Sequence, residues 1–184
     1  MRYNKNLLKY TIVGAILVSI FGTLLHFAYE WSKENVVVGL FTPVNESTWE
    51  HMKLLFFPML LYVVLQYDRL KPEFPGILWG SLTGILAGTF AIPLLFYGYT
   101  GILGKNFMVL DIATFFVSVI IGFLVSYFLA GKEFSRRYKI VVTVLVIVMA
   151  IAFMVFTYNP PDAGIFTDPL KTDQTVRVSF EIVY

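Results

Sequence analysis

Long runs without a formal charge constrain this chain more than any other feature. Residues 10–29, 54–67, 74–104, 112–131 and 140–161 contain no Asp, Glu, Lys or Arg. A helix crosses a hydrocarbon core of roughly 30 Å with about 20 residues, so runs of this length suit a bilayer. Only 14% of the residues are charged and 58% are hydrophobic, in a chain of 184. A soluble domain carries about 25% charged residues, and this composition is too poor in charge to cover a water-facing surface. The expected fold is therefore an all-α integral membrane protein. It has five transmembrane helices near 8–29, 48–67, 76–97, 107–130 and 138–157, forming a bundle over 1–157 and followed by an extracytoplasmic tail over 158–184.

The first run has a basic start but is too long for a signal peptide, and no small-x-small cleavage site follows it; it reads as a retained helix. The chain has no cysteine, which excludes disulfides, thiolate metal sites and a cysteine nucleophile. Nothing suggests nucleic acid as a partner; the net charge of +2 is explained by orientation. Basic residues favour the cytoplasmic side of short loops. Arg2, Lys5, Lys9, Arg69, Lys71, Lys132, Arg136, Arg137 and Lys139 fall at one end of the expected bundle, nine of the fourteen Lys and Arg residues. The expected topology in the cell membrane is an N-terminus inside and a C-terminus outside.

That orientation gathers the unusual polar residues at the outer face. They are the end of the first span (HFAYEW), the phrase PVNESTWEHMK at 43–53, a YGYTG turn at 97–101, and the head of the fourth span with Asp111. Ser47 and Glu50 have the spacing of a capping box, with Ser47 accepting from a first-turn amide and Glu50 reaching back to the Ser47 amide. Trp49 is expected at headgroup level, and Lys53 is expected to snorkel outward. Capping does not explain His26, Glu30, Glu46 or His51. His26 and Glu30 share a helix face, as do Ser47 and His51. The chain's two histidines thus fall at the outer ends of consecutive spans.

Ionisable groups at membrane depth usually face a cavity or the bundle interior. His26, Glu30, His51 and Asp111 are candidate ligands for a divalent metal such as zinc, since two histidines, a carboxylate and an open position form a catalytic-type set. Glu46, Glu50 and Ser47 are candidate catalytic groups. Such a site suits a hydrolase acting on a lipid or lipid-linked substrate. Two other classes compete: an ion-binding or transport protein, and a structural protein that binds a partner. The inner halves of the spans hold few ionisable residues, which weakens the transport class.

Two further patterns bear on assembly. Gly80, Gly84 and Gly88 form a small-residue stripe for close helix contact within the bundle or across a homodimer. TVRVSFEIVY alternates with a strand period, and 175–183 is expected to pair with 34–42, which contains VVVGLF, or with a second copy.

The runs HFAYEWSKENVVVGLFTPVNESTWEHMKLLFFP and FTYNPPDAGIFTDP resemble those of an uncharacterised family of small bacterial multipass membrane proteins. That resemblance implies a polytopic protein and no particular activity. A second, more distant resemblance is to the alkaline ceramidase superfamily of membrane hydrolases. It implies a zinc site that would draw on Ser47, His51 and Asp111; the late His-x-x-x-His pair of that superfamily is absent here.

Overall fold

The computed structural model describes residues 4–168, and among these the regular structure is entirely helical. The order is α1 (Lys5–Trp31), α2 (Val36–Gly39), α3 (Thr48–Leu70), α4 (Ile77–Leu103), α5 (Met108–Leu129) and α6 (Arg136–Tyr158), then a 3-10 turn at Gly164–Phe166. All but α2 and the 3-10 turn are long and apolar enough to cross a membrane, five in number as expected. A helix satisfies its own backbone groups, which a hydrocarbon solvent requires. Local caps set several ends. Asn4 Oδ1 accepts from the Asn6 and Leu7 amides at 2.9 and 3.1 Å. Ser135 Oγ accepts from Tyr138 N at 3.2 Å. Gly104 ends α4 at φ +72°, a left-handed conformation suited to glycine.

The centre of the bundle is α3, which contributes Met52, Leu55, Phe56 and Met59 to a core shared with Val18, Ile85, Val119 and Phe153. Around it Ile16, Ile20, Ile120, Leu124, Ile147 and Ile151 stand exposed. This apolar surface is what a bilayer covers, and the chain is a multipass membrane protein.

Glycines bring two pairs of helices unusually close, α4 with α5 and α1 with α3. A Cβ on Gly84 would lie 2.3 Å from Gly122 O, and one on Gly88 would lie 2.8 Å from Ser118 O. The Gly80–Gly88 stripe is therefore spent on α5 within the chain. A second stripe on α1, Gly14 and Gly22 with Val18 between them, seats that helix. A Cβ on Gly14 would meet the Tyr62 ring at 2.3 Å, and one on Gly22 would meet Leu54 O at 2.5 Å. The two contacts fix an antiparallel register of α1 against α3.

Several local expectations are corrected. YGYTG at 97–101 is not a turn; α4 continues through it to Leu103. The β-prone 36–39 segment winds into one helical turn, because Asn35 Oδ1 accepts from Val37 N and Val38 N. Its expected partner, 175–183, lies outside the described residues. Trp49 packs inward, its ring 4.8 Å from both Phe153 and Phe166 and 5.7 Å from Phe156. Its aromatic partners come from α6 and the 3-10 turn, at the same end of the bundle as the start of α3. Lys53 does not snorkel: it is fully buried, for reasons that belong to the site.

Candidate metal centre

The site is built where α1 ends and α3 begins. Because Gly22 lies against Leu54, the next turn of α1 brings His26 level with His51 one turn back along α3. Their ring centroids are 5.2 Å apart and tilted by 41°. Glu46, on the loop just before α3, closes the third side. His51 Nε2 lies 3.3 Å from Glu46 Oε2, and His26 Nε2 lies 3.9 Å from Glu46 Oε1. Each of the three residues offers one ligand atom such that all lie within 4.8 Å of one another, the one such group of His, Cys, Asp and Glu among the described residues.

The hydrogen bonding of His51 determines what its ring can do. Nδ1 lies 2.9 Å from Ser47 O. A carbonyl only accepts, so Nδ1 carries the hydrogen and Nε2 presents its other face to Glu46. A neutral ring in this tautomer would point a lone pair at a carboxylate oxygen. A proton on Nε2 relieves that, and so does a cation between the two atoms. Ligands at 2.0–2.1 Å from a tetrahedral ion stand roughly 3.3–3.4 Å apart, which matches the His51–Glu46 spacing. The histidine–backbone bond is also the outer partner that metal-bound histidines need to fix their orientation. Among the described residues His26 Nδ1 is buried with no hydrogen-bond partner, so none of them fixes that ring's tautomer. The Glu46 carboxyl is held below the ordinary glutamate range, chiefly by its hydrogen bond with His51, while partial burial opposes the shift. The side chains of His26, His51 and Glu46 are 30%, 32% and 42% exposed, so the group opens to its surroundings.

The other expected site residues are placed differently. Glu46, expected as a catalytic group, joins the histidines. Asp111, expected as a ligand, is engaged by the Tyr99 hydroxyl and by Asn106 Nδ2, bonds that join the end of α4 to the start of α5. Glu30 is exposed in the last turn of α1, outside the group. Ser47 Oγ accepts from Glu50 N at 3.4 Å, as a cap should. The returning half of the capping box is absent. Glu50 Oε2 accepts instead from Val44 N at 3.1 Å, while the Ser47 amide goes to Asn45 Oδ1 at 2.9 Å.

Glu50 turns away because it has a stronger partner. Lys53 Nζ lies 2.7 Å from Glu50 Oε2, and also donates to Gly39 O at 3.0 Å, Thr42 O at 3.2 Å and the Thr157 hydroxyl. Thr157 lies in the last turn of α6 and lies 3.2 Å from Glu50 Oε1. A charge pair out of water persists only when its remaining donors and acceptors are satisfied, and here they are. The spacing of Glu50 and Lys53, three apart at the head of an apolar helix, was the available sequence signal for this pair. Thr157 gave none.

Comparison with known proteins adds a family. No curated protein and no solved structure matches the chain. A family model described as a family of unknown function, DUF6512, matches residues 1–175. The match spans nearly the whole length of this multipass membrane protein, and the chain belongs to the DUF6512 family.

Proposed function

We propose that His26, Glu46 and His51 hold a divalent metal, with zinc the best fit, at the outer face of the cell membrane. The protein is then a metal-dependent hydrolase whose substrate is a lipid or lipid-linked molecule. The observation that carries this reading is the 3.3 Å approach of His51 Nε2 to Glu46 Oε2, with His51 Nδ1 already committed to Ser47 O. When bound, such an ion supplies Lewis acidity toward an ester or amide carbonyl and lowers the pKa of water. Three protein ligands leave a tetrahedral position open, which is the catalytic rather than the structural pattern.

The chain's own groups have separate tasks in this scheme. Ser47 O fixes the His51 ring, and the Glu46 carboxylate neutralises charge between the two imidazoles. Ser47 and Glu50 act through the backbone rather than on substrate. Below the site the core includes Leu55, Phe56 and Met59, and toward the opposite end of α3 the buried Gln66 Nε2 donates to Ser81 Oγ at 3.1 Å. Basic residues collect at that opposite end, which supports placing the N-terminus inside.

The test is an assay on zinc-loaded protein in vesicles of mixed phospholipid and sphingolipid, with products identified by mass spectrometry. Cleavage that a chelator stops and zinc restores, and that His51→Gln abolishes, is expected. A zinc-loaded protein that leaves all these lipids intact would count against a membrane-lipid substrate.

A further inference from the structure

The loop that supplies Glu46 is seated by groups it does not contain. From Val36 to Val44 its backbone is held at four points. Tyr158 Oη donates to Val36 O at 2.9 Å, Lys53 Nζ donates to Gly39 O and Thr42 O, and Val44 N donates to Glu50 Oε2. The Lys53 side chain is fully buried and Glu50 nearly so. Gly39 sits so deep that a Cβ on it would lie 2.4 Å from the Tyr158 hydroxyl. Val44, the last pinned residue, is two positions before Glu46.

We propose that Lys53 is a positioning residue for Glu46: with Glu50 it clamps the 39–44 backbone onto α3 and α6 and so sets the carboxylate opposite His26 and His51. The clamp rests on the metal reading only for its purpose, since its geometry is independent of any ion. Carbonyl oxygens at Gly39 and Thr42 need a cationic donor in a place water does not reach. An apolar side chain at 53 would leave both carbonyls without a donor and the Glu50 carboxylate without its counter-charge, held only by Val44 N and the Thr157 hydroxyl. The cheapest relief is for the loop to lift toward water, and Glu46 would move with it. His51 is fixed separately, by Ser47 O, so the loss would fall on one ligand of the three. Outer partners of this kind typically contribute about 10–100-fold to metal affinity.

The chain's lack of cysteine permits a test that needs no metal. His26→Cys with Glu46→Cys forms a reporter pair for oxidative cross-linking. Ser81→Cys with Ser126→Cys forms a control pair, placed where the two hydroxyl oxygens lie 2.8 Å apart on α4 and α5. Adding Lys53→Met should slow the first cross-link and leave the control unchanged. In the cysteine-free protein Lys53→Met should weaken cobalt binding about 10–100-fold, and should have no further effect when Glu46→Ala is already present. If Lys53→Met prevents folding, Thr157→Val serves instead, because it keeps the ion pair and removes one acceptor of Lys53. An unchanged reporter rate in whichever variant folds overturns the clamp. A slowed reporter in a protein that binds no cobalt upholds the clamp and overturns the metal site.

Discussion

Gly22 lies against the main-chain carbonyl of Leu54, so close that a Cβ on it would sit 2.5 Å from that oxygen. Leu54 is four residues before Pro58, which lies inside α3. Proline has no N–H to give, so this carbonyl lacks its usual helical donor. A glycine Cα–H can approach such an oxygen and offer a weak hydrogen bond. One turn on along α1 stands His26 and one turn back along α3 stands His51, so the contact sets the level at which the two rings meet.

Gly22→Val should therefore separate the site as well as strain the packing. Overpacking of this kind costs about 1–3 kcal/mol. We expect a lowered melting temperature together with loss of metal binding. Gly98→Val, at a position with nothing within 4 Å of the added Cβ, should leave metal binding intact. Equal metal affinity in Gly22→Val and the parent would show that the helix approach does not set the site.

The chain leaves α1 through two consecutive non-glycine residues with positive φ, Lys33 at 57° and Glu34 at 58°. Left-handed backbone disfavours a Cβ by about 1–2 kcal/mol per residue. Lys33→Gly should accordingly stabilise the protein by up to about 1 kcal/mol, less than the full strain because glycine also loosens the unfolded chain. Denaturant or thermal unfolding in detergent measures it, and a destabilised Lys33→Gly would contradict the strain argument.

Glu46 gives the metal-free protein a pH dependence of known sign. Its folded-state pKa is depressed, chiefly by the hydrogen bond with His51. The contribution to stability is therefore complete above the unfolded glutamate pKa and is lost as pH falls through the folded value. Thermal stability should decline below about pH 4.5, where carboxylates take up protons. The carboxylate is 42% exposed, so the effect should stay under about 1 kcal/mol. Glu46→Gln should flatten that part of the profile, and an identical profile in the variant would remove the ion pair from the account.

The helical membrane architecture was legible in the charge-free runs, because hydrocarbon leaves a chain of this composition few alternatives. The nearness of His26, Glu46 and His51 was legible too, from histidines at facing ends of consecutive spans. What pattern reading missed was tertiary. Lys53 looks like a snorkelling lysine until Gly39, Thr42, Glu50 and Thr157 surround it, and those partners come from three separate segments. VVVGLF has strand-forming residues, yet Asn35 caps it into a helical turn. Depth alone groups Asp111 with the histidines, whereas Tyr99, on a stretch that reads as a turn but is helical, donates to it where α4 meets α5. The α1 glycines make no small-xxx-small pattern because Gly14 and Gly22 are eight apart, with Val18 between them.

Topology can be read directly with introduced cysteines. Asn35→Cys should label from outside intact cells, and Phe134→Cys only after permeabilisation. The reverse pattern would place His26, Glu46 and His51 on the cytoplasmic side and exclude an outer-leaflet substrate.

The most direct measurement is the metal content of the detergent-purified protein, by mass spectrometry after loading with zinc and exhaustive dialysis. We expect close to one zinc per chain for the parent. His51→Gln and Glu46→Ala should lose most of it, while Asp111→Asn should retain it. A parent protein that keeps no zinc, or a His51→Gln variant that keeps as much as the parent, would contradict a metal centre at His26, Glu46 and His51.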